Sequence, residues 1–227
     1  NDNKTIFYSK KEDKTLRVNK IYRHQLNSDI KNDILVFEEK DDQFSTRVYK
    51  TKSQEFLIIA SRSTLTTEIR FLNANTPDEE FKLFTKREKN HEYSINHFGD
   101  SFYILTNSEN SKNFRIMRCS VKDTSISSWE EIIPHNKEIL IEDIELFDEY
   151  FVISEREKGL VKFRINKWKT DDEFYLPFEG ETYNASLGIN LDFKSKKLRY
   201  NFTSLTNPSS VVEYDMSKKS KNILKTQ

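Results

Sequence analysis

Short runs of apolar residues, many of them alternating with polar ones, recur along this chain at nearly constant spacing. The stretch Leu198 to Met216 shows the pattern most fully. Two alternating runs, led by Leu198 and Val212, are separated by the polar sequence Asn207-Pro208-Ser209-Ser210. Alternation on both sides of a turn rich in Asn, Pro and Ser is typical of a β-hairpin.

Apolar runs like the one led by Leu198 begin five times along the chain. A second alternating run, like the one led by Val212, follows each of them. The five starts are Thr5, Phe56, Phe102, Tyr150 and Leu198, with separations of 51, 46, 48 and 48 residues. One of the second runs is predicted to span Asn113 to Met117. A third run, richer in charge, closes each unit. A further short run, such as Tyr93 to Phe98 or Asn184 to Leu191, precedes every unit except the first. Four antiparallel strands in slightly fewer than fifty residues predict a β-propeller blade. The predicted blades are residues 1–40, 41–87, 91–135, 139–178 and 183–227.

The alternative all-β fold is a many-stranded sandwich, which also has short strands and turns. The regular return of the same strand type favours the propeller. No Pro- or Gly-rich linker interrupts the chain, so residues 1–227 are interpreted as one domain. Helix is expected at most as a single turn within residues 127–131.

Composition supports β structure and excludes several partners. The 227 residues include 17 Phe and 10 Tyr, and Lys+Arg 37 balances Asp+Glu 37. A neutral balance gives no reason to expect nucleic acid or an anionic membrane as a partner. No apolar window is long enough to cross a bilayer, and the first residues lack the apolar core of a signal peptide. With Cys119 as its single cysteine, the chain is expected in a reducing compartment, the cytoplasm.

Motifs for catalysis or cofactor binding are weak. The segment Gly99-Asp100-Ser101-Phe102-Tyr103 lacks the second glycine of a hydrolase nucleophile elbow. No phosphate-binding loop, dinucleotide fingerprint or calcium loop occurs. The sequence therefore predicts no catalytic residue, no cofactor and no metal.

The histidines, the cysteine and the acidic pairs each have a structural interpretation that outweighs a functional one. His91 and His97 would share one face of a strand but lie too far apart to bind one metal directly. Cys119, in a strand, is expected to be inert. A propeller glycosidase would need converging carboxylates. The candidate pairs for this are Asp41-Asp42, Glu142-Asp143 and Asp171-Asp172.

Several longer runs of the chain are distinctive when taken together. They are YRHQL from Tyr22, VFEEKDDQF from Val36, HEYSI from His91, KNFRIM from Lys112, IPH from Ile133 and YNFTSLTNPSS from Tyr200. Together these runs resemble the propeller of oligopeptidase B, also called protease II, in the prolyl oligopeptidase family of serine peptidases. The resemblance extends in order from about Phe7 to Met216.

The resemblance implies a seven-bladed propeller that covers a C-terminal α/β-hydrolase domain carrying the Ser-Asp-His triad. It implies cleavage of short peptides after Arg or Lys, with the propeller selecting substrates by size. No residue of this chain matches a catalytic motif of that family, so the chain alone is expected to be inactive. The alternative is a stand-alone protein-interaction propeller.

About five blades are present where the resemblance implies seven, so a fragment lacking its true N-terminus is expected. Two bare blade faces would expose roughly 1,000 Å² of apolar surface, which corresponds to about 25 kcal/mol as an upper bound. We therefore expect the chain to dimerise through its terminal blades, to close into a tighter ring, or to be marginally stable.

Overall fold

The computed structural model describes residues 2–170 and 172–227, which form five antiparallel sheets in chain order. The first sheet contains β1 (Thr5–Lys11), β2 (Val18–Gln25) and β3 (Ile34–Glu38). The second contains β4 (Ser45–Lys50), β5 (Phe56–Arg62), β6 (Thr67–Asn73) and β7 (Lys82–Leu83). The third contains β8 (Tyr93–Phe98), β9 (Ser101–Thr106), β10 (Arg115–Ser120) and β11 (Glu130–Ile133).

The last two sheets repeat the same arrangement. The fourth contains β12 (Ile139–Leu146), β13 (Tyr150–Glu157), β14 (Leu160–Lys167) and β15 (Glu173–Tyr175). The fifth contains β16 (Tyr183–Leu187), β17 (Lys197–Ser204), β18 (Ser210–Asp215) and β19 (Ser220–Thr226). Within each sheet the strands are neighbours in chain order. The predicted repeat of antiparallel sheets is thus confirmed, and the first sheet has three strands.

Chain contacts divide the molecule into two compact units. One contains the residues up to Ser108 together with Met117–Glu130, and the other contains Glu109–Ile116 together with Glu131–Gln227. The interpretation of residues 1–227 as a single domain, with the blade limits given above, stays a prediction. Each unit has its own apolar core, which is described separately below.

The first unit is organised around an aromatic core. In β5, six consecutive residues from Phe56 to Ser61 are buried, as expected of a strand covered on both faces. One face, with Phe56 and Ile58, joins Phe71 and Phe102 in a large cluster. The opposite face, with Leu57, packs with Leu72, Ala74 and the partly buried Phe7 and Phe81. The continuous apolar pattern of β5 therefore reflects burial on both sides of the sheet.

The second unit has a core built from alternating residues. Val161, Phe163 and Ile165 of β14 are buried, whereas the residues between them are half-buried. The apolar face of β17 and β18 supplies Leu198, Tyr200, Val212 and Tyr214 to the same cluster. The hairpin predicted between Leu198 and Met216 is confirmed, with Tyr200 opposite Val212.

Several strand limits differ from those predicted. The strand predicted to begin at Asn113 begins at Arg115, because Phe114 has the positive φ of 61°. The strand predicted over residues 184–191 ends at Leu187, where the backbone of Gly188 approaches that of Arg199. A Cβ at Gly188 would lie 3.0 Å from the Arg199 carbonyl oxygen. The helical turn expected within residues 127–131 is a 3-10 helix at Ile126–Ser128, and a second one lies at Ile30–Asn32.

The outward faces of the first and last sheets differ in chemistry. On the first sheet, Ile6, Tyr8 and Leu35 are exposed. On the last sheet, the face opposite the apolar core carries Glu213 with Lys197 at 2.6 Å and Arg199 at 3.3 Å. The last sheet also has exposed apolar side chains, Ile223 and Leu224 of β19, so both terminal sheets expose apolar surface and the last one adds ion pairs. Dimerisation through these faces stays a prediction.

Candidate functional site

The serine considered as a nucleophile lies in a strand-to-strand turn. Phe98 and Ser101 are opposite each other at the β8–β9 hairpin, and Gly99 takes the positive φ of 59°. A nucleophile elbow requires a turn from a strand into a helix. The geometry at Ser101 is therefore that of an ordinary hairpin.

His91 and His97 are buried and hydrogen-bonded. His91 Nε2 lies 2.9 Å from Thr106 Oγ1, and His97 Nδ1 lies 2.9 Å from Ser53 Oγ. Burial lowers the pKa of both imidazoles, against smaller opposing effects of nearby acidic groups. Both rings are therefore neutral near pH 7. Among the residues that the structure describes, no group of three His, Cys, Asp or Glu side chains could hold a metal ion.

The two buried histidines should make the protein less stable in mild acid. Folding lowers the pKa of both histidines below the ordinary histidine value of 6.5. As the pH falls below 6.5, the unfolded chain therefore binds more protons than the folded protein, which favours unfolding. The free energy of unfolding should therefore be smaller at pH 5.5 than at pH 7.5, as measured by urea denaturation. In the double variant His91→Gln/His97→Gln the difference between the two pH values should shrink. An unchanged pH dependence would show that other groups cause it.

Cys119 is a buried free thiol in the first unit. Burial raises its pKa from the ordinary 9.0 to about 12, with a smaller contribution from Asp123. Because the thiolate is the reactive form, alkylation by iodoacetamide at pH 8 should be at least roughly 100-fold slower in the folded protein than in urea. Mass spectrometry measures both rates. Equal rates would mean that Cys119 is accessible and ionisable.

The three acidic pairs considered as glycosidase carboxylates lie in different surroundings. Glu142 forms an exposed ion pair with Arg156 at 2.6 Å, and the backbone N–H of Ile144 donates to Asp143. The pair Asp171-Asp172 includes Asp171, which lies outside the described residues. Asp41 belongs to a cluster of charged side chains in the first unit, which the sequence pattern did not reveal.

That cluster is centred on the guanidinium group of Arg87. Its Nη2 donates to Glu39 Oε2 at 2.6 Å and lies 3.5 Å from Glu68 Oε1, while its Nη1 is 3.7 Å from Asp41 Oδ2. The group stacks on the Phe44 ring at 3.7 Å. Glu39 is only 5% exposed, so its charge depends on Arg87 for compensation.

The cluster joins two connecting segments of the first unit, residues 39–44 and 84–92. The backbone N–H of Asp41 donates to Glu39 Oε1 at 3.1 Å. Arg17 Nη1 donates to the carbonyl oxygens of Asp41 and Phe44, both at 2.8 Å. These bonds fix both segments, together with the turn that contains Arg17.

The electrostatics of Glu39 disfavour a role as a general acid. Burial raises its pKa, but the hydrogen bonds from Arg87 and the Asp41 N–H outweigh burial, and the pKa lies below its ordinary value. A glycosidase acid needs a raised pKa, so that it carries a proton near neutral pH. The cluster is therefore suited to holding a surface in shape and not to hydrolysing glycosides.

Each unit has an arginine that forms an ion pair at the same place in its sheet, Arg70 with Glu68 in the first unit and Arg164 with Glu155 in the second. Arg70 of β6 is opposite Ile59, and Arg164 of β14 is opposite Ile153, so the two arginines occupy the same place in their sheets. Arg164 donates to Glu155, which is 2% exposed and also accepts from the Tyr175 hydroxyl at 3.0 Å. Recurrence at the same position indicates a structural role for this arginine in the repeat.

Comparison with known proteins identifies the repeat. A family model described as "Prolyl oligopeptidase, N-terminal beta-propeller domain" matches residues 1–227. The chain is a propeller domain of the prolyl oligopeptidase family. The dipeptidyl aminopeptidase BI of Pseudoxanthomonas mexicana is 30% identical over 226 residues, covering 100% of this chain and 31% of that protein. Protease 2 of Moraxella lacunata is 34% identical over 157 residues, covering 69% of this chain and 22% of that protein.

Solved structures agree on the fold. Oligopeptidase B from Leishmania major superposes with a TM-score of 0.90 at 23% identity, covering 99% of this chain and 33% of that one. Oligopeptidase B from Trypanosoma brucei gives a TM-score of 0.91 at 22% identity, with the same coverage. The predicted propeller and the resemblance to oligopeptidase B are both confirmed. This propeller domain of the prolyl oligopeptidase family spans about a third or less of the length of each of these relatives.

No helix within the described ranges is long and apolar enough to span a membrane.

The sequence analysis did not predict that Glu39, Glu68 and Arg87 form a cluster. They lie on two connecting segments and a strand, and no sequence spacing brings Glu39 close to Arg87, 48 positions further along the chain. The one available signal was Asp41, singled out for a different role.

Proposed function

We propose that this domain is the non-catalytic, size-selecting part of a cytoplasmic serine oligopeptidase that cleaves short peptides after Arg or Lys. The observation that carries the proposal is the family match over residues 1–227, together with a chain that spans about a third of its peptidase relatives. In this proposal a C-terminal hydrolase domain supplies the catalytic residues. The propeller limits access to them, and movement between the domains admits substrate.

Rigidity is what size selection requires of the propeller. The buried faces of β5 and β14 and the ion cluster around Arg87 give the domain closely packed sheets. A rigid cover lets a flexible peptide enter end-on and excludes a folded protein, whose chain cannot reach the nucleophile without unfolding. The specificity for Arg or Lys rests on the likeness to oligopeptidase B, and its determinants would lie in the hydrolase domain.

The test uses the full-length gene product and a peptide series with a single internal Arg. Peptides of increasing length, with matched versions carrying Lys or Gln at the same position, are assayed by mass spectrometry. We expect cleavage after Arg and Lys but not after Gln, and a steep fall in kcat/KM for long or folded substrates. Residues 1–227 alone should not cleave any peptide. Equal rates for short peptides and a folded protein would refute size selection.

The alternative is a stand-alone propeller that binds protein partners. It predicts that the open reading frame stops soon after Gln227 and encodes no Gly-x-Ser-x-Gly motif. An in-frame motif of this kind downstream would exclude it.

A further inference from the structure

Two exposed arginines lie side by side on the second sheet, Arg47 in β4 and Arg62 at the end of β5. Arg62 is directly opposite Ser45 of β4, and Arg47 is opposite Ala60 of β5. Residues two positions apart on a strand share a face, so both arginines project from the same face of the sheet. Their positions are diagonal neighbours, roughly 7–8 Å apart, which long side chains can bridge. The two guanidinium groups therefore form one positively charged patch, which we call the arginine pair.

The arginine pair lacks the partners that the other arginines of the chain have. Within residues 2–170 and 172–227, every other arginine forms an ion pair with a carboxylate or, in one case, donates to backbone carbonyl oxygens. The ion-paired ones are Arg23, Arg70, Arg87, Arg115, Arg118, Arg156, Arg164 and Arg199, and the one bonded to carbonyl oxygens is Arg17. Arg47 and Arg62 form no ion pair with a carboxylate in that part of the chain. Two neighbouring positive charges repel each other, and a bound anion would relieve this repulsion.

The surroundings of the arginine pair are uncharged and help to orient it. The neighbouring strands place only the hydroxyl residues Ser45 and Thr67 opposite Arg62. The guanidinium carbon of Arg47 lies 5.2 Å from the centre of the Tyr49 ring, a cation–π contact. Burial raises the pKa of Tyr49, and the charges of both arginines oppose that rise, so both guanidinium groups lie near the ring. Guanidinium groups present their N–H donors in a fork that matches the two oxygens of a carboxylate.

A peptide substrate supplies such a carboxylate whatever its sequence, because every unmodified peptide ends in one. The pair lies on the first two strands of its sheet, and in a propeller the first strand of each blade is the one next to the central channel. We propose that the arginine pair binds the C-terminal carboxylate of the peptide substrate. The inference rests on the proposed function, since that function makes short peptides the substrates. It adds a contact that depends on the end of the peptide and not on the residue at the cleavage site.

The test uses the full-length protein and peptides in which a single Arg is followed by an increasing number of residues. Each peptide is made as a free acid and as a C-terminal amide. For at least one length, KM should be roughly tenfold lower for the free acid, because hydrogen bonds between charged groups are strong. In Arg47→Gln/Arg62→Gln the two forms should have equal KM values. The kinetic constants for the amide should stay at their wild-type values, which also shows that the variant is folded.

Two controls assign the effect. A third form of each peptide has Asp at its last position and a C-terminal amide, so its only carboxylate is in a side chain. If its KM equals that of the free acid, the assignment to the C-terminus is wrong. The variant Lys10→Gln/Lys11→Gln removes two exposed charges from β1 and should keep the wild-type preference for the free acid. Loss of the preference in this variant would indicate a general effect of charge and overturn the proposal.

The outcomes also separate this inference from the proposed function. If the wild-type protein cleaves no peptide, the proposed function fails, and the inference fails with it. If it cleaves free acids and amides equally well at every length, only the binding of the carboxylate is refuted.

Discussion

Replacing Phe102 with alanine should lower the free energy of unfolding by about 4 kcal/mol, the cost typical of removing a buried aromatic side chain. Phe102 is fully buried in β9. Its ring lies 5.0 Å from that of Phe56, 5.3 Å from that of Phe71 and 5.4 Å from that of Phe84. One truncation therefore removes several edge-to-face contacts and leaves a cavity that these rings cannot fill.

Urea denaturation followed by circular dichroism and tryptophan fluorescence measures the loss. Ile30→Ala is the control, because Ile30 is 75% exposed and its truncation should change stability by less than about 0.5 kcal/mol. If Phe102→Ala does not fold, Phe102→Leu should still fold, with a loss of about 1.5 kcal/mol. Losses equal to that of Ile30→Ala would contradict the aromatic core described above.

The strands could be predicted from the sequence because their signals are local and repeated. The strand β8, Tyr93–Phe98, has the predicted limits, since its buried residues alternate with half-buried ones along its full length. Where a predicted strand limit was wrong, the conformation of the backbone at one residue set the actual limit. Phe114 takes a conformation unusual for a bulky residue, and Gly188 lies against a neighbouring backbone that leaves no room for a side chain.

The charged cluster around Arg87 could not be predicted in the same way. Glu39, Glu68 and Arg87 meet only after the sheets have packed, and a single sequence contains no periodic signal that links them. Asp41 and Asp42 drew attention as adjacent acids, although Asp41 Oδ2 lies 3.7 Å from Arg87 Nη1, beyond hydrogen-bond distance. The decisive carboxylate, Glu39, was hidden within a run of charged residues whose other members are more exposed.

Removing the Arg87 guanidinium should destabilise the protein by about 3 kcal/mol, because Glu39 would remain buried without a compensating charge. The matched control is Arg118→Ala. Arg118 pairs with Glu130 at the same distance of 2.6 Å, but these side chains are 41% and 66% exposed, against 26% and 5% for Arg87 and Glu39. The exposed pair should contribute less than about 1 kcal/mol.

Two further measurements separate the lost pairing from lost packing. Folding lowers the pKa of Glu39 below the ordinary glutamate value of 4.5. The charge of Glu39 therefore stabilises the fold fully above about pH 4.5, and this stabilisation is lost as the pH falls through the pKa of the folded state. The stability difference between wild type and Arg87→Ala, measured by urea denaturation, should therefore shrink below about pH 4.5. The double variant Glu39→Gln/Arg87→Gln should be more stable than Arg87→Ala at pH 7, since no buried charge is left unpaired. A difference that is independent of pH would assign the loss to the stacking of Arg87 on Phe44 and not to the ion pair.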